Sequence, residues 1–167
     1  MTSDPGIVER KEQLYAGIAA GVAMKDIAKV ADTLPRELSA WLAGHGIEPA
    51  GAPFFRYNVI DMEHLLQLEW GVPISKTVGG DGRVLVGSLP AGRYASLIHT
   101  GPFSGLMAAT AALLKWIDEN GLKVDMTRMP EGERFACRLE IYLTDPRAEP
   151  DSKNWQTEIA MRLADSS

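Results

Sequence analysis

The stretch WLAGHGI (residues 41–47) returns as WIDENGL (residues 116–122), with tryptophan and glycine five residues apart in both copies. In each copy an apolar run at helical spacing leads into the tryptophan, and a glycine able to take the left-handed conformation closes the helix. The first stripe is Ile27, Val30, Ala31, Leu34, Leu38, Trp41 and Leu42; the second is Leu106, Ala109, Leu113, Trp116 and Ile117. Upstream of each helix a strand begins Tyr-Ala, at Tyr15 and at Tyr94. Downstream come strands containing Leu68-Glu69-Trp70 and Leu139-Glu140-Ile141. This order predicts an α+β fold built from two pseudo-symmetric strand-helix-strand-strand modules, about residues 8–76 and 83–164. Neither module can bury its apolar face alone, so the two join edge to edge in one antiparallel sheet with two helices on one face and a groove between them. Chance likeness of two generic helix ends is the competing account of the repeat.

The remaining segments fit that frame. Residues 12–24 (EQLYAGIAAGVAM) are small, apolar and glycine-bearing, as in a twisted or bulged strand. Further strands are expected at 53–58, 65–74, 84–87, 93–99, 135–144 and 156–163, with a polar turn at 59–64 and a charged, proline-rich loop at 145–153. Pro35 lacks a backbone donor and is expected to kink or restart the first helix. The run Gly79-Gly80-Asp81-Gly82 leads into a strand rather than a helix, so it reads as a turn and not as a phosphate cradle.

Composition narrows the function classes. At 167 residues the chain is expected to form one domain, 1–167, with 46% hydrophobic and 23% charged residues. A net charge of -5, with no basic cluster longer than Arg10-Lys11, argues against nucleic acid as a direct partner. Cys137 is the only cysteine, so an internal disulfide and a cysteine-based zinc site are excluded, and a buried thiol is expected. His45, His64 and His99 show no metal-ligand spacing, and neither metal nor cofactor is expected. No apolar stretch is long enough to span a bilayer, and residues 1–7 lack a signal peptide's layout, so no membrane partner and a cytoplasmic location are expected. In Gly101-Pro102-Phe103-Ser104-Gly105 the serine falls one place late for a nucleophile elbow.

The strand around residues 138–143 carries the chemistry. Alternation sets Leu139, Ile141 and Leu143 on one face and Arg138, Glu140 and Tyr142 on the other. Taken alone, Glu140 is a strand glutamate facing water. Against that stands a surplus of large rings on neighbouring strands: Phe55 and Tyr57 two apart on one face, with Trp70 and Tyr94 on others. A carboxylate among ring faces suits a cation or lipophile, and Tyr142 could orient the acid. Trp41 and Trp116 read first as core anchors; Trp116, in the same half as Glu140, is also a candidate for pocket lining.

Six segments in order, AGAPFFRY (50–57), EWGVPI (69–74), LPAGRY (89–94), HTGPF (99–103), EIYLTDP (140–146) and TEI (157–159), together resemble the GyrI-like effector-binding family. That family is a small-molecule-binding domain found alone or fused to bacterial transcription activators. The resemblance implies two pseudo-symmetric modules and a glutamate in the penultimate strand, at the base of an aromatic pocket for lipophilic, often cationic compounds, which maps onto Glu140. Glu69 is the symmetry-related, weaker candidate, with a solvated strand glutamate as its alternative. The residues before Lys25 are too few for a helix-turn-helix, so DNA binding by this chain is not expected. Three functions remain open: a sensor or sequestering protein for hydrophobic cations, walled by Phe55, Tyr57, Trp70, Tyr94, Trp116 and Tyr142; a hydrolase of electrophilic small molecules, with Glu140 as general base and Tyr142 or Tyr94 as proton donor; and an inhibitor of a DNA-handling enzyme through protein contact.

Overall fold

The structure, a computed structural model, describes residues 1–61, 63 and 65–165. In chain order the elements are β1 (Gly6–Arg10), β2 (Gln13–Val22), α1 (Ile27–Gly44), β3 (Phe54–Ile60), β4 (Leu66–Pro73), β5 (Val84–Leu89), β6 (Gly92–Thr100), α2 (Leu106–Glu119), β7 (Met126–Met129), β8 (Gly132–Phe135), β9 (Arg138–Tyr142) and β10 (Gln156–Arg162). The sheet runs β1-β6-β10-β9-β3-β4-β2-β5, antiparallel throughout, with the β7–β8 hairpin appended to β3.

Read from its middle, that order is a palindrome about the β9–β3 junction. Each module supplies three central strands, and the flanking strands are exchanged: β1, which precedes the first module, pairs with β6, and β5, which precedes the second, pairs with β2. Leu68 stands opposite Tyr57 and Thr157 opposite Tyr142. The dyad relating β3 to β9 therefore takes Glu69 to Glu158 and not to Glu140, because β4 corresponds to β10.

The repeated stretch, residues 41–47 and 116–122, is a helix-ending motif. Gly46 and Gly121 have φ of 66° and 68°. The following amides, of Ile47 and Leu122, donate back to the carbonyls of Leu42 and Ile117 at 2.9 and 3.0 Å. Both helices thus end in a six-to-one loop that needs a left-handed residue. Pro35 does not break α1, which runs uninterrupted through it. The missing amide is outweighed by the buried stripe Leu34, Leu38 and Leu42, which holds both halves of the helix on β2 and β4.

Both faces of the sheet carry a core. On one, α1 packs over β2 and β4 and α2 over β6 and β10, leaving β3 and β9 as a strip between the helices. On the other, Tyr15, Phe54, Tyr94, Leu139, Ile141 and Ala160 pack on one another without a helix. The rings of Tyr15 and Phe54 meet edge to face at 5.3 Å. They fit because Gly71 has no Cβ, which would fall 2.5 Å from the Phe54 ring. The apolar half of β9 therefore faces away from the helices, and Glu140 shares their side.

Candidate functional site

The strip between the helices gathers the aromatic residues. Across the ladders, Glu140 pairs with Phe55 and Phe55 with Trp70, so all three project to the helix side. The Phe55 ring lies 5.0 Å from Trp70, 6.2 Å from Tyr57 and 6.1 Å from Tyr142, and Trp70 stacks on Tyr142 at 5.7 Å. Phe103, in the turn that starts α2, continues the cluster to Tyr142 at 5.6 Å and to Trp155 at 4.8 Å.

Glu140 sits within these rings, half-buried. The hydroxyls of Tyr57 and Tyr142 both donate to its Oε1, at 2.9 and 2.8 Å. Burial, followed by the charge of Glu140, pushes the pKa of each phenol well above the ordinary tyrosine value, so both keep the protons that they donate to the carboxylate. Among the described residues nothing donates to Oε2, and that atom is not sealed from solvent. One carboxylate oxygen is clamped and the other is on offer.

Of the sequence candidates, Phe55, Tyr57, Trp70, Glu140 and Tyr142 are thus brought together. Trp116 is not in ring contact with them and packs against the α2 core. Tyr94 projects to the opposite face, where its hydroxyl donates to the Pro90 carbonyl at 2.6 Å and its ring is fully buried. Ala95 and Leu97, on the same strand but in the opposite phase of its alternation, are the ones on the Glu140 side.

Glu69 also lies on the opposite face and is not solvated. It is 6% exposed, and both its oxygens are taken, Oε1 by the Tyr15 hydroxyl and Oε2 by the Asn58 amide, each at 2.6 Å. In its dyad mate Glu158, Arg10 and the Ser96 hydroxyl both donate to Oε2, at 2.6 and 2.7 Å. Phe103 and Trp155 escaped the sequence reading. Phe103 stands in the HTGPF segment, whereas nothing in the sequence around Trp155 ties it to Tyr142. His45 stacks on Trp41, and His99 is buried against the Pro102 carbonyl; His64 lies outside the described residues.

An open cavity of about 460 Å³ exists on the far face, floored by Phe54, Leu139 and Ile141 beside the Arg10–Glu158 pair. It does not touch Glu140, whose rings are closed on one another. Chemistry favours the closed site over the open one: the carboxylate in the cavity is already neutralised by Arg10, whereas among the described residues Glu140 has no cation in an ion pair with it. No helix among the described residues is long and apolar enough to cross a membrane.

Comparison with known proteins agrees with this fold. The C-terminal domain of EcmrR superposes with a TM-score of 0.76 at 18% identity, over 98% of each chain. In the EcmrR–DNA complex the TM-score is 0.80 at 18% identity, and the match covers 98% of this chain and 58% of that one, so the chain spans little more than half of that relative. SAV2435, solved bound to tetraphenylphosphonium, gives 0.62 at 11% identity over 97% and 94% of the two chains. No curated protein sequence matches the chain. With residues 3–164 matching the family described as the GyrI-like small molecule binding domain, on a sheet with the helices and glutamate set out above, the chain belongs to that family.

Proposed function

We propose that the chain binds hydrophobic, cationic small organic molecules between α1 and α2, with Glu140 as counter-ion and Phe55, Tyr57, Trp70 and Tyr142 as walls. The observation that carries this is the asymmetry of the carboxylate: two phenols fix Oε1, and Oε2 is left for a ligand. Ring faces attract a cation by about 0.5–2 kcal/mol each, and the half-buried carboxylate neutralises it. The family's description and the tetraphenylphosphonium held by the similarly folded SAV2435 support the reading. Because the rings touch one another here, a ligand enters by separating them. Calorimetry with tetraphenylphosphonium tests it: Glu140→Gln is expected to fold normally and to lose about 2–5 kcal/mol of binding. Undiminished affinity in the variant would remove Glu140 from the centre.

A second reading, hydrolysis of an electrophile, is favoured by the same free oxygen, which could hold an attacking water. It has lost one of its donors, since Tyr94 lies across the sheet, and the raised pKa values of Tyr57 and Tyr142 suit them to hydrogen bonding rather than proton release. Incubation with epoxides and related electrophiles decides it; a product heavier by one water, formed by the wild type and not by Glu140→Gln, would establish turnover.

A further inference from the structure

The face of β9 that presents Glu140 also presents Arg138, two residues away. The Arg138 guanidinium lies over the Phe135 ring, 4.8 Å from its centroid, half-buried and within the fields of Glu140 and Glu133. Among the described residues no acceptor comes within hydrogen-bonding distance of it. The other half-buried arginines are different: Arg10 donates to Glu158, Arg56 to the Ala136 carbonyl, Arg93 to the Ala164 carbonyl and Arg162 to Asp125. A guanidinium cannot shed its charge, and its donors form a planar fork that fits a carboxylate at two points. Burial works against the charge of Arg138, and nothing in the fold answers its donors. They are not sealed either, so they stay open to solvent.

Two residues along a strand span roughly 6.6–6.8 Å. The helix-side face of β9 therefore carries a free carboxylate oxygen and an unpaired guanidinium on side chains rooted that far apart, with Phe55 and Tyr57 beside them on β3. A ligand with only a positive charge would satisfy the first and leave the donors of the second unanswered. We infer that the site selects molecules carrying both charges on a flat apolar body: a cationic nitrogen for Oε2 of Glu140 and a carboxylate for Arg138. Arg138 is then the residue that sets specificity between zwitterions and simple lipophilic cations. The inference rests on the reading of Glu140 given above.

Two dyes sharing one fluorophore test it: rhodamine 110, which bears a free carboxylate, and rhodamine 123, its methyl ester. Titrations followed by fluorescence anisotropy are made with the wild type, Arg138→Met and Arg138→Lys, the last keeping the charge without the fork. The expected result is that Arg138→Met weakens rhodamine 110 on the order of 10- to 100-fold, as truncating one partner of a charged pair does, and leaves rhodamine 123 unchanged or tighter. Arg138→Lys should fall between, with the circular dichroism of both variants native. An equal change for the two dyes, including none, overturns the inference, as does failure of the wild type to bind rhodamine 110. Tetraphenylphosphonium separates the two levels. If it binds and depends on Glu140 while the dye ratio ignores residue 138, the inference falls and the counter-ion reading stands; if it is indifferent to Glu140, the counter-ion reading falls and the inference with it.

Discussion

Glu140 owes its orientation to two phenols that converge on one oxygen from adjacent strands. A hydrogen bond to a charged group contributes about 1.5–3 kcal/mol net, and a carboxylate left with no donor in a half-buried setting costs more than one left with a single donor. Tyr57→Phe and Tyr142→Phe should each lower stability in urea unfolding by about 1–2 kcal/mol, and the double variant by more than the sum. Strict additivity would mean that the two bonds do not share the acceptor. At this scale the sequence was readable within strands and not between them. Alternation placed Arg138, Glu140 and Tyr142 together because the period of a strand is fixed. It could not place Tyr94, whose face depends on which residue of β10 stands opposite it; Met161 pairs with Ala95, and that register sends Tyr94 to the far side. The same limit applied to Glu69, which was matched to Glu140 by local wording, Leu-Glu in both, when β4 corresponds to β10.

Among the elements, the helices were the most legible, since the sequence carries both the stripe and the stop. The glycine of the stop can be tested against a neighbour two residues away. Gly46→Ala and Gly121→Ala force an alanine into a left-handed conformation and should each cost about 1–2 kcal/mol. Gly44→Ala, inside α1 and with no atom within 4 Å of the added Cβ, should instead stabilise by roughly 0.5–1 kcal/mol. Thermal denaturation of the three variants reads the opposed signs; a loss at Gly44 as large as at Gly46 would show that the cap geometry is not what the glycine serves. The elements that went unread are those whose pairing is not written locally. Strand β1 (GIVER) is short, with Ile7 and Val8 exposed, and it is a strand only because β6 offers it a ladder. The β7–β8 hairpin is largely polar, and β9 is shorter than the apolar run suggested because the chain leaves the ladder at Ala136 and Cys137.

Across the whole molecule, exchange of β1 and β5 means that each half of the sheet is completed by a strand from the other half. Opening one module therefore exposes the second, and the tyrosines spread over the sheet should report one event. All four tyrosines, Tyr15, Tyr57, Tyr94 and Tyr142, have pKa values raised above 10.0, with burial the largest cause at each. Glu69 adds to the effect at Tyr15 and Glu140 at Tyr57 and Tyr142. The sign follows from proton counting. Below about pH 10 the phenols are protonated in both states and contribute no pH dependence. Above it the unfolded chain releases these protons and the native sheet keeps them, so the unfolded state binds fewer protons and stability falls as pH rises. The urea midpoint should begin to fall by about pH 9, where the unfolded chain ionises the Cys137 thiol that burial keeps protonated in the fold, and drop more steeply beyond about pH 10 as the phenols join it. Phenolate absorbance should rise together with the loss of circular dichroism rather than before it. Replacing Tyr57 by phenylalanine removes one proton from the difference and should make the alkaline slope shallower. Phenolate appearing in a still-native sheet would mean that the rings around Glu140 are open to hydroxide, and the closed aromatic site described here would have to be redrawn.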